Sequence, residues 1–494
     1  MPCSRPGPAE LKQRLQAVQR IFGAIIALSS LITVPPLAIA HYLGESSQGA
    51  FFDSFLLIGA VGLLLWYPVR NAEYDLRLRD GFLITTAIWV LASLVTAIPF
   101  TLAPPHLSFT QAVFESASGL TTTGATVILG LDALPRSVLF YRQSLNFLGG
   151  MGIVILAVAI LPMLKIGGMQ LFRAESTGPT RDNKLTPRIA ETARALWMVY
   201  LGLNLVCALA YWIGGMTLFD AVCHAMSTMA TGGFSTHDSS FGYWNSELID
   251  GMAVVFMLIA GSNFGMHWYA WRRATLSHYQ ADSELRTFFR IALIASLMVT
   301  LSLWAGSGFG SLLDALRHAV FQVVSNLTTT GFVSGGYAQW PGSAPLLLLL
   351  LAFIGGCAGS TAGGIKVARW QMVVRQGLRE IRQLVHPKGQ FVVKVGGKRV
   401  SESVVISVAG FCTLYLLCFV VMTLLLTASG VDIVSAFSAI AACLNNLGPG
   451  LGSVAVHYSG LGDFSIWICS FAMILGRLEV FTVLVLLTPQ FWNE

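Results

Sequence analysis

Four short stretches decide the fold: SGLTTTGAT at 118–126, STMATGGFS at 227–235, SNLTTTGFV at 325–333 and AACLNNLGPG at 441–450. Each follows a brief amphipathic segment and lies between membrane-length apolar runs. Set in register on Gly124, Gly233, Gly331 and Gly448, all four carry an alanine twelve residues upstream, at Ala112, Ala221, Ala319 and Ala436. Three also carry a serine six residues upstream, at Ser118, Ser227 and Ser325. One polypeptide that repeats helix, half-helix, glycine loop and helix four times can close a four-fold ring around an ion path. The expected fold is an all-α polytopic membrane protein with four pseudo-symmetric repeats around a central pore.

Composition agrees. The chain is 55% hydrophobic and 11% charged, with mean hydropathy +0.69, whereas soluble domains carry about 25% charged residues. Runs near the roughly 20 residues needed to span a bilayer lie at 21–43, 50–69, 81–103, 139–164, 190–214, 249–271, 287–307, 343–369, 403–428 and 463–488. Shorter apolar helices at 109–119, 217–229, 311–327 and 431–444 read as re-entrant, each leading into its glycine loop.

Ten spans put both termini on one side, and placing them in the cytoplasm satisfies the positive-inside rule. Of the 30 Lys and Arg, only Arg136, Arg142 (at a helix end) and Arg317 then fall outside, with Arg477 inside the last span. The +6 net charge thus reports orientation and contact with anionic lipid, and no nucleic-acid role is needed. The polar first twenty residues lead into a full span without a small-residue cleavage site, so that span is expected to act as the insertion signal. The eight cysteines are scattered without CxxC spacing and read as small apolar packing residues. The nine histidines offer no mid-span pair one helical turn apart, which disfavours a bis-His haem.

A potassium ion entering the bilayer must exchange water for other oxygens, and backbone carbonyls supply them without a full charge. Glycine permits the positive-φ conformations that turn successive carbonyls inward. Irregular backbone at membrane depth needs a shared watery cavity, and half-helix C-termini pointing at it favour cations. The candidate filter residues are Thr121, Thr122, Thr123 and Gly124; Ala230, Thr231, Gly232 and Gly233; Thr328, Thr329, Thr330 and Gly331; and Asn445, Asn446, Leu447 and Gly448. A single TTTG is an ordinary turn, but four copies in equivalent positions favour the ion reading. Only glycine is common to all four, so carbonyls are expected as ligands with threonine side chains in support. The unequal fourth loop predicts weaker discrimination than a symmetric filter would give. No enzyme is expected, because neither HExxH nor a Ser/His pair stands at membrane depth. A monovalent cation such as potassium is the expected transported species, and no organic cofactor is expected on this chain.

The loops, together with TMATGGFSTHD at 228–238, LGGMGIVILAVAILPML at 148–164, LTPRIAETARALW at 185–197, GGCAGSTAGGIKVAR at 355–369 and GRLEVF at 476–481, resemble the Trk/Ktr/HKT superfamily of potassium transporters, and within it the bacterial TrkH/TrkG type. The resemblance covers essentially the whole chain. It implies an extra N-terminal two-helix domain at 1–75 and repeats at 76–172, 173–280, 281–385 and 386–494. It also implies a homodimer in the cell inner membrane and a cytoplasmic TrkA-like subunit binding nucleotides such as NAD(H), ATP or ADP.

Five glycines within 355–364 make a poor helix interior, so the eighth span is expected to break; close packing through small residues is the alternative. The resemblance implies an intramembrane loop that obstructs the path, comprising Gly355, Gly356, Gly359, Ser360, Thr361, Gly363 and Gly364. The basic run Lys366, Arg369, Arg375, Arg379 and Arg382 follows, where a regulator could pull or a helix could simply be solvated. Arg477 lies about fourteen residues into the last span and is read as an electrostatic barrier in the gate, with pairing to a neighbouring helix as the alternative. His237, Asp238, Asp132, Asp314, Asp432 and Asp463 could concentrate cations at the outer mouth, although loop solvation and half-helix capping by Asp220 and Asp432 explain most of them equally well. Segment 173–196 could meet the regulator or lead into a helix, and 387–400 reads as a small basic hairpin suited to docking. A proton- or sodium-coupled symporter is the competing mechanism, for which Glu115 and Glu479 are the mid-span carboxylates that stand out.

Overall fold

The computed structural model describes residues 8–72, 78–155, 189–306 and 309–493, and nearly all of their regular structure is helical. Six stretches are long and apolar enough to cross a membrane: Lys12–Leu43, Gln48–Val69, Asp80–Leu102, Arg194–Ile213, Ser283–Ala305 and Glu402–Ala428. The expected run 139–164 is described only to Ile155, within the helix Arg136–Ile155, and its remainder lies outside the described residues, as does most of 173–196. The eighth run does break, stopping at Ile354 and resuming as a helix at Val367.

Two other runs expected as continuous spans are bent. Glu247–Ala260 meets Phe264–Arg273 at 95°, and Asp463–Arg477 meets Phe481–Leu487 at 107°. At the first bend the Asn263 side chain accepts from Gly265 N at 2.7 Å, capping a new helix in a new direction. At the second, Glu479 and Val480 take φ of 55° and 52°, which a continuing right-handed helix cannot hold. Apolar residues lie on both sides of each bend, and hydropathy averaged over a span carries no information about axis direction. Arg477 is consequently the last residue of a helix, where its charge complements the carbonyl end of the dipole.

The re-entrant elements are the helices Phe109–Leu120, Leu218–Ala230, Leu312–Leu327 and Ile433–Leu444. Their starts are capped by Ser108, Thr217, Ser311 and Asp432, each side chain accepting from the N–H three residues on. Asp220 does not cap its helix as expected. It sits in the first turn and accepts from the Thr217 hydroxyl at 2.7 Å, because the threonine ahead of it holds the extended backbone that a cap requires.

These four helices pack in a cycle. Phe109–Leu120 lies against Asp463–Arg477, Leu218–Ala230 against Arg136–Ile155, Leu312–Leu327 against Glu247–Ala260, and Ile433–Leu444 against Ala344–Ile354. Each short helix therefore rests on the second long helix of the preceding repeat, and the first rests on the last. The N-terminal helix Pro8–Ser29 packs along Gln48–Trp66, with Gly62 so close to Ala27 that a β-carbon would lie 2.2 Å from its nitrogen. A small antiparallel hairpin joins Lys394–Val395 to Lys398–Arg399, within the expected 387–400.

Candidate functional site

At the C-terminal ends of the short helices the four loops share one backbone conformation. Gly124, Gly233, Gly331 and Gly448 have φ of 80°, 72°, 79° and 98°. Two residues before each, Thr122, Thr231, Thr329 and Asn446 take φ of 54°, 52°, 54° and 54°. Left-handed backbone is costly for a β-branched residue and persists only where its surroundings enforce it. In an extended strand successive carbonyls alternate sides; interposed left-handed residues let them share one.

The loops touch in order. A β-carbon on Gly124 would lie 2.4 Å from Gly232 O, one on Gly233 2.2 Å from Thr330 O, one on Gly331 1.9 Å from Leu447 O, and one on Gly448 2.5 Å from Thr123 O. The carbonyl met is always that of the residue preceding the next loop's glycine. Loop one faces two, two faces three, three faces four, and four returns to one. The seams are made by Thr123, Gly124, Gly232, Gly233, Thr330, Gly331, Leu447 and Gly448, and the other eight residues singled out from sequence lead into them.

Side chains hold the ring from behind. Thr121 Oγ1 donates to Ala117 O at 2.7 Å and pairs with Thr123 Oγ1 at 2.8 Å; Thr328 repeats both contacts with Val324 O and Thr330. Thr231 donates to Ala230 O at 2.6 Å. In the fourth loop Asn445 replaces threonine and its Nδ2 donates to Ala441 O at 2.8 Å, while its Oδ1 accepts from Tyr415 Oη at 2.6 Å. Asn446 Nδ2 donates to Thr123 Oγ1 at 3.0 Å and Met473 O at 2.9 Å. Asparagine thus reproduces the threonine contact and adds a tie across the closing seam. Gly448 O accepts from Tyr458 Oη at 2.8 Å.

The segment Gly355–Lys366 lies directly under the ring. Gly363 N donates to Thr329 Oγ1 at 2.7 Å and Gly364 N to Asn445 O at 3.2 Å. Thr361 Oγ1 donates to Met229 O at 3.1 Å. Arg477 donates from Nη1 to Thr361 O and from Nη2 to Gly149 O, both at 3.0 Å, so it links this segment to the first repeat. The bend at Gly261–Asn263 provides a socket: Cys357 N donates to Gly261 O at 2.8 Å, Asn263 Nδ2 to Ala358 O at 2.7 Å, and Phe264 N to Gly359 O at 3.1 Å. Ser360 closes a local turn onto Cys357 O, and Val367 N reaches Gly356 O at 3.1 Å. Gly355 takes φ 72° with its β-carbon position 2.4 Å from Gly363 O, so the two ends of the segment fold onto each other.

Several contributors were not legible as site residues. Glu284 Oε1 accepts from Ala358 N at 2.7 Å and Ala368 N at 3.0 Å, clasping the segment at both ends. Arg369 Nη2 lies 2.6 Å from Glu479 Oε2, so the two mid-span carboxylates of the sequence reading are both ion-paired. Glu115 pairs with Arg142 at 2.8 Å, the two side chains 0% and 1% exposed; the arginine is buried behind the first loop, not placed at an exposed helix end. The available signal was the cost of a charge at membrane depth. The partner could not be read from sequence.

At the mouth His237 contacts Asp132, lies 3.6 Å from Asp220 and stacks on Tyr243 at 3.5 Å. Burial opposes charge on this imidazole, but the two carboxylates outweigh it and hold the pKa above its ordinary value. Burial likewise opposes charge on Asp132, yet His237 and the Asp238 amide hold it below. Asp314 accepts from the Ser311 hydroxyl, Asp432 caps its helix and Asp463 stands in the first turn of Asp463–Arg477; all three carboxylates are exposed.

The sequence profile of the TrkH family, described as a cation transport protein, matches residues 47–493. The chain is 48% identical to the Trk system potassium uptake protein TrkH of Vibrio parahaemolyticus, over 97% of this chain and 100% of that one. It is 47% identical to TrkH and 41% identical to TrkG of Escherichia coli, each over 97% of this chain and 99% of the other. The crystal structure of the potassium transporter TrkH from Vibrio parahaemolyticus matches with a TM-score of 0.89 at 46% identity, covering 97% of this chain and 100% of that one. Matched over nearly its whole length in sequence and backbone, this chain belongs to the TrkH family of cation transport proteins.

Proposed function

We propose that this protein takes up potassium across the cytoplasmic membrane, with both termini in the cytoplasm, through the ring centred on Gly124, Gly233, Gly331 and Gly448. The observation that carries the reading is cyclic closure. Four loops with matching φ present the carbonyls of Thr123, Gly232, Thr330 and Leu447 at equivalent seams, a set of neutral oxygens able to replace water around a monovalent cation. The short helices end at the ring and direct partial negative charge toward it. Seams occupied by backbone oxygen also explain why only glycine is shared among the loops.

Gly355–Lys366 is the gate of this scheme. It hydrogen-bonds the inner side of loops three and four, and Arg477 adds a positive charge and a strut beneath them. The helix Val367–Val385 leads away from it carrying Arg375, Arg379 and Arg382, a lever for a cytoplasmic TrkA-like nucleotide-binding subunit. Two such chains form the working dimer. Proton- or sodium-coupled symport is the second reading. Coupling needs a protonatable or second-ion site that alternates in access, and the two mid-span carboxylates that stand out, Glu115 and Glu479, both carry arginine partners.

The test is potassium-dependent growth of an uptake-deficient bacterium carrying wild type or Gly331→Ser. The serine β-carbon has Leu447 O 1.9 Å away and a backbone of φ 79° to hold, so rescue is expected from wild type only. Equal rescue by both overturns the role of the ring. In proteoliposomes, a reversal potential that stays at the potassium Nernst value under a proton gradient excludes strict proton coupling.

A further inference from the structure

We propose that Glu115 and Arg142 form a brace that sets how sharply the ring separates potassium from sodium, a specificity-determining pair that acts by positioning. The inference rests on the reading of the ring as the site of ion selection. Sodium is the smaller ion, and a cage of carbonyls admits it when the oxygens can move inward. Whatever limits that movement contributes to discrimination.

The brace is built for this. Glu115 Oε2 accepts from Val127 N at 3.0 Å, and Thr126 Oγ1 donates to the carboxylate at 3.0 Å. Both partners lie just beyond Gly124. Arg142 donates from Nε to Glu115 Oε1 at 2.8 Å, from Nη2 to Thr126 Oγ1 at 3.1 Å and from Nη1 to Ser235 O at 3.1 Å. Its guanidinium carbon stands 4.2 Å over the Phe234 ring. Phe234 and Ser235 directly follow Gly233, so one arginine ties loop one to loop two across their seam. The pair is electrically neutral as a unit, and its effect on the pathway is mechanical.

The same position recurs in each repeat with different chemistry. Nine residues before the four glycines stand Glu115, His224, Gln322 and Ala439. His224 Nε2 is 3.0 Å from Ser235 Oγ, and Gln322 Nε2 donates to Phe332 O at 3.3 Å. Ala439 can make no such bond. The outer shoulder of the ring is thus held by an ion pair, an imidazole, an amide and, in the fourth loop at this position, nothing. Charge-assisted hydrogen bonds are roughly twice as strong as neutral ones, so restraint at this position is greatest in the first loop.

The experiment compares reversal potentials under potassium–sodium gradients for wild type, Glu115→Gln, Arg142→Lys and His224→Gln in proteoliposomes, beside thermal melts of each protein. Both ion-pair variants are expected to keep potassium transport while their potassium-over-sodium permeability ratio falls about tenfold, equivalent to about 1.4 kcal/mol. His224→Gln is expected to lower the ratio less. Folded ion-pair variants with a wild-type ratio overturn the brace. Should both fail to fold, Thr126→Val decides, because it removes the hydroxyl that donates to Glu115 and accepts from Arg142, and an unchanged ratio there overturns the brace. A wild type that itself does not separate potassium from sodium instead refutes selection at the ring, which keeps the two failures distinct.

Discussion

Two glycine-rich regions lie against each other in this molecule and are held in opposite ways. In the ring, each glycine is seated against the backbone of the next loop, so the four quarters fix one another. The segment Gly355–Lys366 beneath it is tied by hydrogen bonds to several elements: Thr329 Oγ1, Asn445 O, Met229 O, Arg477, Glu284 and the bend Gly261–Phe264. The ring is a closed course of masonry, and the segment is a plug on several strings. The same residue type serves both because close backbone approach excludes a β-carbon in either case; in the proposed gate the segment would leave while the ring stays.

The sharpest way to break this contrast is to add one methyl group to each region. Gly124→Ala places a carbon 2.4 Å from Gly232 O and is expected to cut potassium flux about 100-fold, equivalent to roughly 2.7 kcal/mol. Gly363→Ala places one 2.1 Å from Asn445 O, pushes the plug off the ring, and is expected to raise flux without a regulatory partner about tenfold, or roughly 1.4 kcal/mol. Flux measured in proteoliposomes that falls in both variants would erase the distinction. Glu284→Gln weakens the clasp on Ala358 and Ala368 while preserving its shape. Unregulated flux should rise about threefold, since a net hydrogen bond is worth about 0.5–1.5 kcal/mol, and an unchanged flux removes Glu284 from the plug's restraints.

The smallest effect concerns the outer mouth, just beyond the second loop. A raised imidazole pKa contributes stability that is complete below 6.5 and is lost as pH climbs through the folded value. The lowered Asp132 contributes stability that is complete above 3.8 and is lost as pH falls through its folded value. The contact should therefore be at full strength between those limits. Melting temperature should decline on the alkaline side by less than about 2 °C, and His237→Asn should remove that slope. An identical slope in the variant would assign it to another group.

Six of the ten expected spans and the four positive-φ glycine loops were legible, because apolar length and glycine register are one-dimensional properties. The broken eighth span was legible too, since glycine clustering is local. The bends at Gly261–Asn263 and Leu478–Val480 were not, because Phe256–Ala260 and Phe481–Leu487 remain apolar on either side and only the axis turns. The ion pairs were equally hidden. Arg142 and Glu115 stand 27 residues apart on two helices of one repeat, and Arg369 and Glu479 stand 110 apart on two different repeats, so neither pairing shows in local sequence. The Asp220 cap failed for a narrower reason: Thr217, three residues earlier, already held that place.

The tie from Asn446 to Thr123 joins residues 323 positions apart, and it carries a consequence for biogenesis. Three junctions of the circle lie between neighbours along the chain, but the last unites the beginning of the series with its end. During translation the early quarters must wait in the lipid as an open horseshoe, their polar backbone unsheltered, until the final quarter has emerged. An insertase or chaperone that shields that gap, or a stop codon that leaves it open, would then govern whether a pore is born at all.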